Sequence, residues 1–291
     1  MIAGMLFRKS GSLPADAHKG INAWIIYLAL PAVSFKYLPH IEWNTTLIVP
    51  AVSPILVWLG AWVAMRLYAV ITKIPKKTEG GLKLAAGLSN TTFIGFPLIT
   101  AYYGEQQLGI AIIYHQVNFM ILATAGVIVA VHSSKKEPLT PAVIIKRFFK
   151  FPPFLGCMAA LILPQFLDLS PLDPLFTKLA ATVGPLALFS IGLQIKFSGW
   201  RRNLSHISAA LIYKLILSPA IIFAFVLLMG VKGSIAQVSV FEAAMPTLLT
   251  AGIVAEEYEL DPPVVNLVIG IGILFSFLST AAWWLALRFI G

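Results

Sequence analysis

Charge is what this sequence has least of. Asp, Glu, Lys and Arg make up 11% of its 291 residues, where a soluble globular domain carries about a quarter. That scarcity excludes an ordinary soluble domain. Cysteine is nearly absent as well: Cys157 stands alone, which excludes an intrachain disulfide and any multi-cysteine metal site. No HExxH, phosphate-cradling GxxxxGK[ST], GxSxG or strand-borne GxGxxG pattern occurs, so the common enzyme signatures are missing. Neither a cofactor nor a metal is expected. Basic stripes interleaved with aromatics are missing too, so the net charge of +9 speaks to membrane topology and not to nucleic acid.

What is there is apolar. Hydrophobic residues are 58% of the chain, and runs of about 20 of them, enough to cross a bilayer core as helix, recur throughout. They cover 21–39, 46–71, 82–103, 108–131, 142–166, 174–195, 206–230, 234–255 and 263–288. The fold class is an all-α polytopic membrane protein. Ahead of these spans stands MIAGMLF, followed by Arg8 and Lys9. It is too short to cross and its charges lie on the wrong side for a signal peptide. We read it as the inner end of a truncated first helix, with about 12–15 further residues expected upstream to complete a span of roughly 20.

Basic residues then orient the chain. Counting MIAGMLF as helix 1, the segments after helices 1, 3, 5 and 7 hold sixteen Lys and Arg; those after helices 2, 4, 6 and 8, with the C-terminus, hold four. The first set is expected in the cytoplasm, which puts both termini on the non-cytoplasmic side when helix 1 is complete. The acidic loop EEYELD, 256–261, falls on the cytoplasmic side as well. An odd number of helices per half inverts one half relative to the other. The expected division is a first repeat over 1–132, the cytoplasmic loop SSKKEPLTP over 133–141 and a second repeat over 142–291.

Two spans contain residues that disfavour helix. LSNTTFIGFPLI, 88–99, places Asn90, Thr91, Thr92, Gly95 and Pro97 inside an apolar stretch; in the other half AAMPTLLTAG places Pro246 among Thr247, Thr250 and Gly252, close to Glu242. Proline removes an amide hydrogen and pushes its predecessor out of the α region. Irregular backbone survives in a bilayer only where it is buried in protein or lines a cavity. Broken helices in matching positions of two inverted halves mark a transporter's binding site. Each proline suits the first turn of a half-helix, and two half-helix N-termini meeting at one point favour an anion such as a carboxylate. The expected substrate-binding residues are Asn90, Thr91, Gly95, Pro97, Pro246, Thr247 and Thr250.

These residues also carry a family likeness. NTTFIGFPLITAYYG, 90–104, resembles the fourth helix of the auxin efflux carrier family, with its Asn-Thr, Gly-x-Pro-Leu and Tyr-Gly pattern. FEAAMPTLLTAGIVAEEYELD, 241–261, resembles that family's ninth helix and the acidic loop behind it. GMLFRKSGSLP followed by INAWIIYLALPAVSF resembles the end of its first helix, its first loop and its second helix. The resemblance implies ten helices in two inverted five-helix repeats, with helices 4 and 9 crossing at unwound centres around the substrate. It implies a scaffold of helices 1, 2, 6 and 7, a mobile transport domain moving as an elevator, and a homodimer. The implied substrates are small organic anions such as indole-3-acetate, malate and malonate. Thr250 departs from the Asn that many bacterial members carry four residues after the second proline. The short loop between halves fits a carrier of the bacterial inner membrane.

Other intramembrane polar residues have bland and functional readings side by side. Glu242, His115 and Gln116 are the candidates for coupling to a proton or sodium ion, against roles in packing. Gln194 and Asn266 read as interhelical glue. Lys214 reads as a side chain that snorkels to the interface or balances a substrate charge. A sodium-coupled symporter of the bile-acid type is the second reading of the whole. An intramembrane enzyme lacks a visible dyad or triad, and a receptor that does not transport is the remaining alternative.

Overall fold

The computed structural model describes residues 2–14, 16–40, 44–134, 152–194 and 200–288. Among them all regular structure is helical, apart from one isolated antiparallel bridge between Ser89 and Thr247. Ahead of the undescribed stretch 135–151 come Ile2–Ser10 (α1), Ala17–Trp24 (α2), Leu30–Tyr37 (α3), Ile48–Thr72 (α4) and Lys76–Gly87 (α5). Phe96–Tyr103 (α6), Leu108–Ile121 (α7) and Val127–Ser133 (α8) follow. Behind it come Pro152–Ile162 (α9), Asp173–Ala181 (α10), Val183–Gln194 (α11) and Leu204–Ile212 (α12). Ser218–Leu228 (α13), Gly233–Ala243 (α14), Leu249–Glu257 (α15) and Pro262–Leu287 (α16) complete the chain. Most of the expected loop 133–141 lies outside the described residues.

Among the described residues, five stretches are helical, long and apolar enough to cross a membrane: Thr45–Thr72, Glu105–Ser133, Ser170–Ser190, Trp200–Leu228 and Pro262–Leu287. The expected spans 46–71, 108–131, 174–195, 206–230 and 263–288 fall on them, with residue 195 outside the described residues. The span 142–166 begins outside them, and Leu155–Gln165 is a shorter apolar helix. The spans 82–103 and 234–255 are not continuous helices. Each is cut in the middle, at 88–90 and at 244–248.

Prolines shape the rods by a repeated device. Wide turns over Ile25–Ala29, Thr91–Gly95 and Tyr213–Leu217 each end one residue ahead of an X-Pro pair that opens the next helix, at Pro31, Pro97 and Pro219. In each the following amide reaches five residues back, as Phe96 N–H does to the Thr91 carbonyl. Widening the turn moves the carbonyl four residues back away from the proline ring, the clash that otherwise breaks a helix. At Pro219 that carbonyl belongs to Leu215, and the Trp283 indole donates to it at 2.9 Å.

The helices pack in two groups. α1, α2 and α3 pack with α9, α10 and α11, while α4, α5, α7 and α12 to α16 pack among themselves. Residues 2–7 of the expected first-helix remnant are helical and docked: Gly4 lies against the Phe189 backbone, and the Phe7 and Phe189 rings meet edge to face at 5.7 Å. In the second group small residues let backbones approach, with Ala85, Ala86 and Gly87 of α5 fully covered and Gly87 seated on the Trp58 ring. The groups meet where α11 packs on the turn Thr91–Gly95, with Gly184 facing Pro97.

Polar contacts at the helix ends sort the loops. Arg66 and Lys83 both pair with Glu79, at 3.1 and 2.7 Å, Lys77 pairs with Glu259 at 2.8 Å, and Thr78 donates to Asp261 at 2.8 Å. The acidic loop 256–261 thus sits on the basic segment 73–83, so the two share one end of the bundle. Lys36 and Tyr37 reach Glu105 at 3.0 and 3.1 Å, joining the segments after the second and fourth expected helices.

Candidate functional site

The two helix breaks face each other. Asn90 N–H donates to the Pro246 carbonyl at 2.7 Å, and Leu248 N–H donates to the Leu88 carbonyl at 3.0 Å. Each break supplies the backbone partner that the other lacks, which matters where a bare amide or carbonyl costs several kcal/mol. Side chains satisfy the rest. Asn118 of α7 accepts from Ser89 N–H at 3.1 Å and donates to the Ser89 carbonyl at 3.0 Å, as a neighbouring strand would. Thr247 donates to the Ala85 carbonyl at 2.6 Å, and Ser218 donates to the Ala243 carbonyl at 3.0 Å. These two hydroxyls close the open C-terminal ends of α5 and α14.

Asn90 does two things at once. Its side-chain oxygen accepts from Phe93 N–H at 3.1 Å and caps the turn Thr91–Gly95. Its amide nitrogen is buried and has no partner. His115 Nδ1 lies 2.7 Å from the Thr91 hydroxyl and 3.1 Å from that of Thr92, with Phe96 edge-on to its ring. Gln116 is buried beside it in α7. Both carboxylate oxygens of Glu242 are buried without a hydrogen-bond partner. They lie on Gly95, where an added Cβ would come within 2.7 and 2.9 Å of them. A side chain at Gly95 would push the carboxyl group aside.

Several positions differ from the sequence reading. Pro97 lies in the first turn of α6, but that helix continues the turn begun at Thr91, so the N-terminal end belongs to Asn90. Pro246 lies in the extended link three residues ahead of Leu249, the start of α15. Thr250, in the first turn of α15, is half-buried, whereas Thr91 and Thr247 are fully covered. Lys214 does not snorkel: it has no exposed surface and its ammonium donates to the Ser89 hydroxyl at 2.6 Å. The side chain of Gln194 lies outside the described residues, and Asn266 donates to Glu256 at 3.2 Å. Sequence reasoning left Ser89 and Asn118 off the site and gave Lys214 two readings, snorkelling or balancing a substrate charge. Lys214 carried a signal, a cation in the middle of an apolar run; Ser89 carried none.

The site is closed. Asn90, Thr91, Lys214, Glu242 and Thr247 are all 0% exposed. Two open cavities lie elsewhere. One of about 790 Å³ is bordered by Lys36, Tyr37, Glu105, Gln106 and Asp173, and one of about 480 Å³ by Phe35, Pro164, Phe166 and Phe176. None of the break residues lines either. The buried side chains around the breaks include an amide donor without a partner, on Asn90, the Lys214 amine on Ser89, and two unused carboxyl oxygens, on Glu242.

Residues 1–284 match the family described as membrane transport protein. An uncharacterised transporter of Methanocaldococcus jannaschii is 26% identical, over 99% of this chain and 96% of its own length. A Rhizobium meliloti protein named as a candidate malonate transporter is 28% identical over 84% of this chain and 79% of its own. A rice protein named as a candidate auxin efflux carrier component is 25% identical over 49% of this chain and 35% of its own. The chain belongs to the membrane transport protein family, that of the auxin efflux carriers, and is a membrane transporter, not an enzyme.

Proposed function

We propose that this transporter carries a small organic anion, a carboxylate of the malonate, malate or auxin-like kind, through the meeting point of the two broken helices. The observation that carries the reading is the free, fully buried Asn90 amide at the start of the Thr91–Gly95 turn. A buried donor without a partner costs about 1–3 kcal/mol, and an anion docking there would remove that cost. The site residues are Asn90, Thr91, Gly95 and Pro97 on one side and Pro246, Thr247 and Thr250 on the other. Glu242 takes up the coupling proton, with His115 and Gln116 beside the turn.

The breaks are then the crossing of helices 4 and 9 in two inverted five-helix repeats, and their backbone pairing supports this. The group containing α1 to α3 and α9 to α11 serves as scaffold and dimer face; the other carries the site as an elevator. The basic and acidic loops 73–83 and 256–261 face the cytoplasm. Sodium coupling of the bile-acid type is the second reading, favoured by the two unpartnered Glu242 oxygens.

Thermal unfolding of the purified protein against a panel of mono- and dicarboxylates tests the substrate class. A true substrate at a hundred times its Kd adds about 2.7 kcal/mol of stability, a clear upward shift of the midpoint. A panel in which no carboxylate shifts it would overturn the reading.

A further inference from the structure

An ion pair ties the two helix groups together at one end of the bundle. Lys36 and Tyr37 of α3, in the first group, both donate to the same Glu105 oxygen, at 3.0 and 3.1 Å. Glu105 opens the turn Glu105–Gln107, which runs into α7 of the second group. The pair borders the cavity of about 790 Å³, and that cavity lies between the groups. Thr177 lines it from the first group, Gly109 and Ser234 from the second. This end is the one away from the basic and acidic loops, since α4 starts beside the cavity after Leu47 and reaches the basic segment only at Lys73.

A second carboxylate stands on the Lys36 side of the same cavity. Asp173 is the first residue of α10, and it has no ion-pair partner among the described residues. One turn further on, Phe176 stacks on Phe35 at 4.9 Å. That contact pins the start of α10 to the end of α3 that carries Lys36. Lys36 therefore has one carboxylate in use on the opposite group and one spare on its own. Glu105 is largely exposed and Lys36 partly so, and ion pairs of this kind are weak. Neither carboxylate locks the cation, and the flexible lysine stem lets the ammonium change acceptor while its helix stays in place.

We propose that Lys36 is a switch cation between the two groups: Glu105 holds it in the present arrangement, and it passes to Asp173 when the second group moves away. A contact biases an equilibrium only when it is made in one arrangement and not in the other. Glu105 and Asp173 meet that condition in opposite senses, and the charge is stranded in neither. The proposal rests on the elevator reading above for the motion and adds the side chains that set its balance.

The test measures spin-label distances in the full chain, reconstituted in lipid nanodiscs without substrate. Labels are placed on Gln165→Cys in the first group and Lys232→Cys in the second, both exposed and both at the cavity's end, with Cys157→Ala removing the native thiol. Glu105→Gln is expected to raise the separated population about two- to fivefold, the range of an exposed ion pair, and Asp173→Asn to lower it by a similar factor. In a Lys36→Met background both substitutions should be silent, because the cation they compete for is gone. Carboxylate substitutions that shift the distances in the same sense, or that act as strongly without Lys36, overturn the proposal. Two distances whose populations no substitution moves would refute the switch and leave the elevator motion standing. A single distance in every variant would overturn the switch together with the motion. Because no substrate is present, none of these outcomes bears on the carboxylate panel.

Discussion

Asn90 offers a way to separate holding the fold from holding the substrate. Its oxygen caps the turn through Phe93 N–H at 3.1 Å, while its nitrogen is free. Serine caps helices as well as asparagine does but lacks the amide donor. Asn90→Ala removes both functions and should cost about 1 kcal/mol of stability from the lost cap. Asn90→Ser should keep most of that stability. Both variants remove the amide donor from its place, since the serine hydroxyl is shorter and is held at the cap, and a hydrogen bond to a charged group is worth about 1.5–3 kcal/mol, so Kd should rise roughly ten- to hundredfold in each. Titration calorimetry with malonate gives affinity, and melts of the unliganded proteins give stability. An Asn90→Ser protein that binds malonate as the parent does would refute the donor role. One that melts as low as Asn90→Ala would refute the capping argument.

Three further outcomes follow from the same geometry. Asn118→Leu strips two hydrogen bonds from the Ser89 backbone and should destabilise the protein by about 2–6 kcal/mol, at about 1–3 for each buried group; a change under about 0.5 kcal/mol in chemical unfolding would contradict it. Gly95→Ala drives a methyl into the Glu242 carboxylate and should cost about 1–3 kcal/mol, whereas Gly184→Ala, whose Cβ would meet Pro97 at an ordinary 3.9 Å, should be neutral or slightly stabilising in the same melts. Glu242→Gln keeps the shape but cannot ionise, so in proteoliposomes its malonate uptake should lose the response to a proton gradient expected of the parent; equal responses would remove Glu242 from coupling.

The breaks were legible because their causes are local. Asn90, Gly95 and Pro97 within one apolar run, matched by Pro246 near Glu242, announce irregular backbone wherever the tertiary structure places them. The register of the breaks was not legible, since a wide turn lets Pro97 ride inside a helix that Asn90 begins, and nothing in the run 88–99 shows which residue caps it. The partners were hidden for another reason. Asn118 lies 29 residues from Ser89, and Lys214 lies 125, so only the packing of α7 and of the 204–228 rod against the breaks gives them their tasks. The docking of EEYELD on the basic segment was half legible: the order of the spans put both on one side although the loop's own acidity disagreed, and the Lys77–Glu259 contact is long-range.

The account turns on whether a carboxylate passes through the meeting point of the breaks, and one measurement addresses it directly. Proteoliposomes loaded with unlabelled malonate are placed in a trace of labelled malonate, and the exchange is followed for the parent and for Asn90→Ala. The account predicts rapid accumulation of label by the parent and little by the variant at the same protein density. Accumulation at equal rates by both would contradict it.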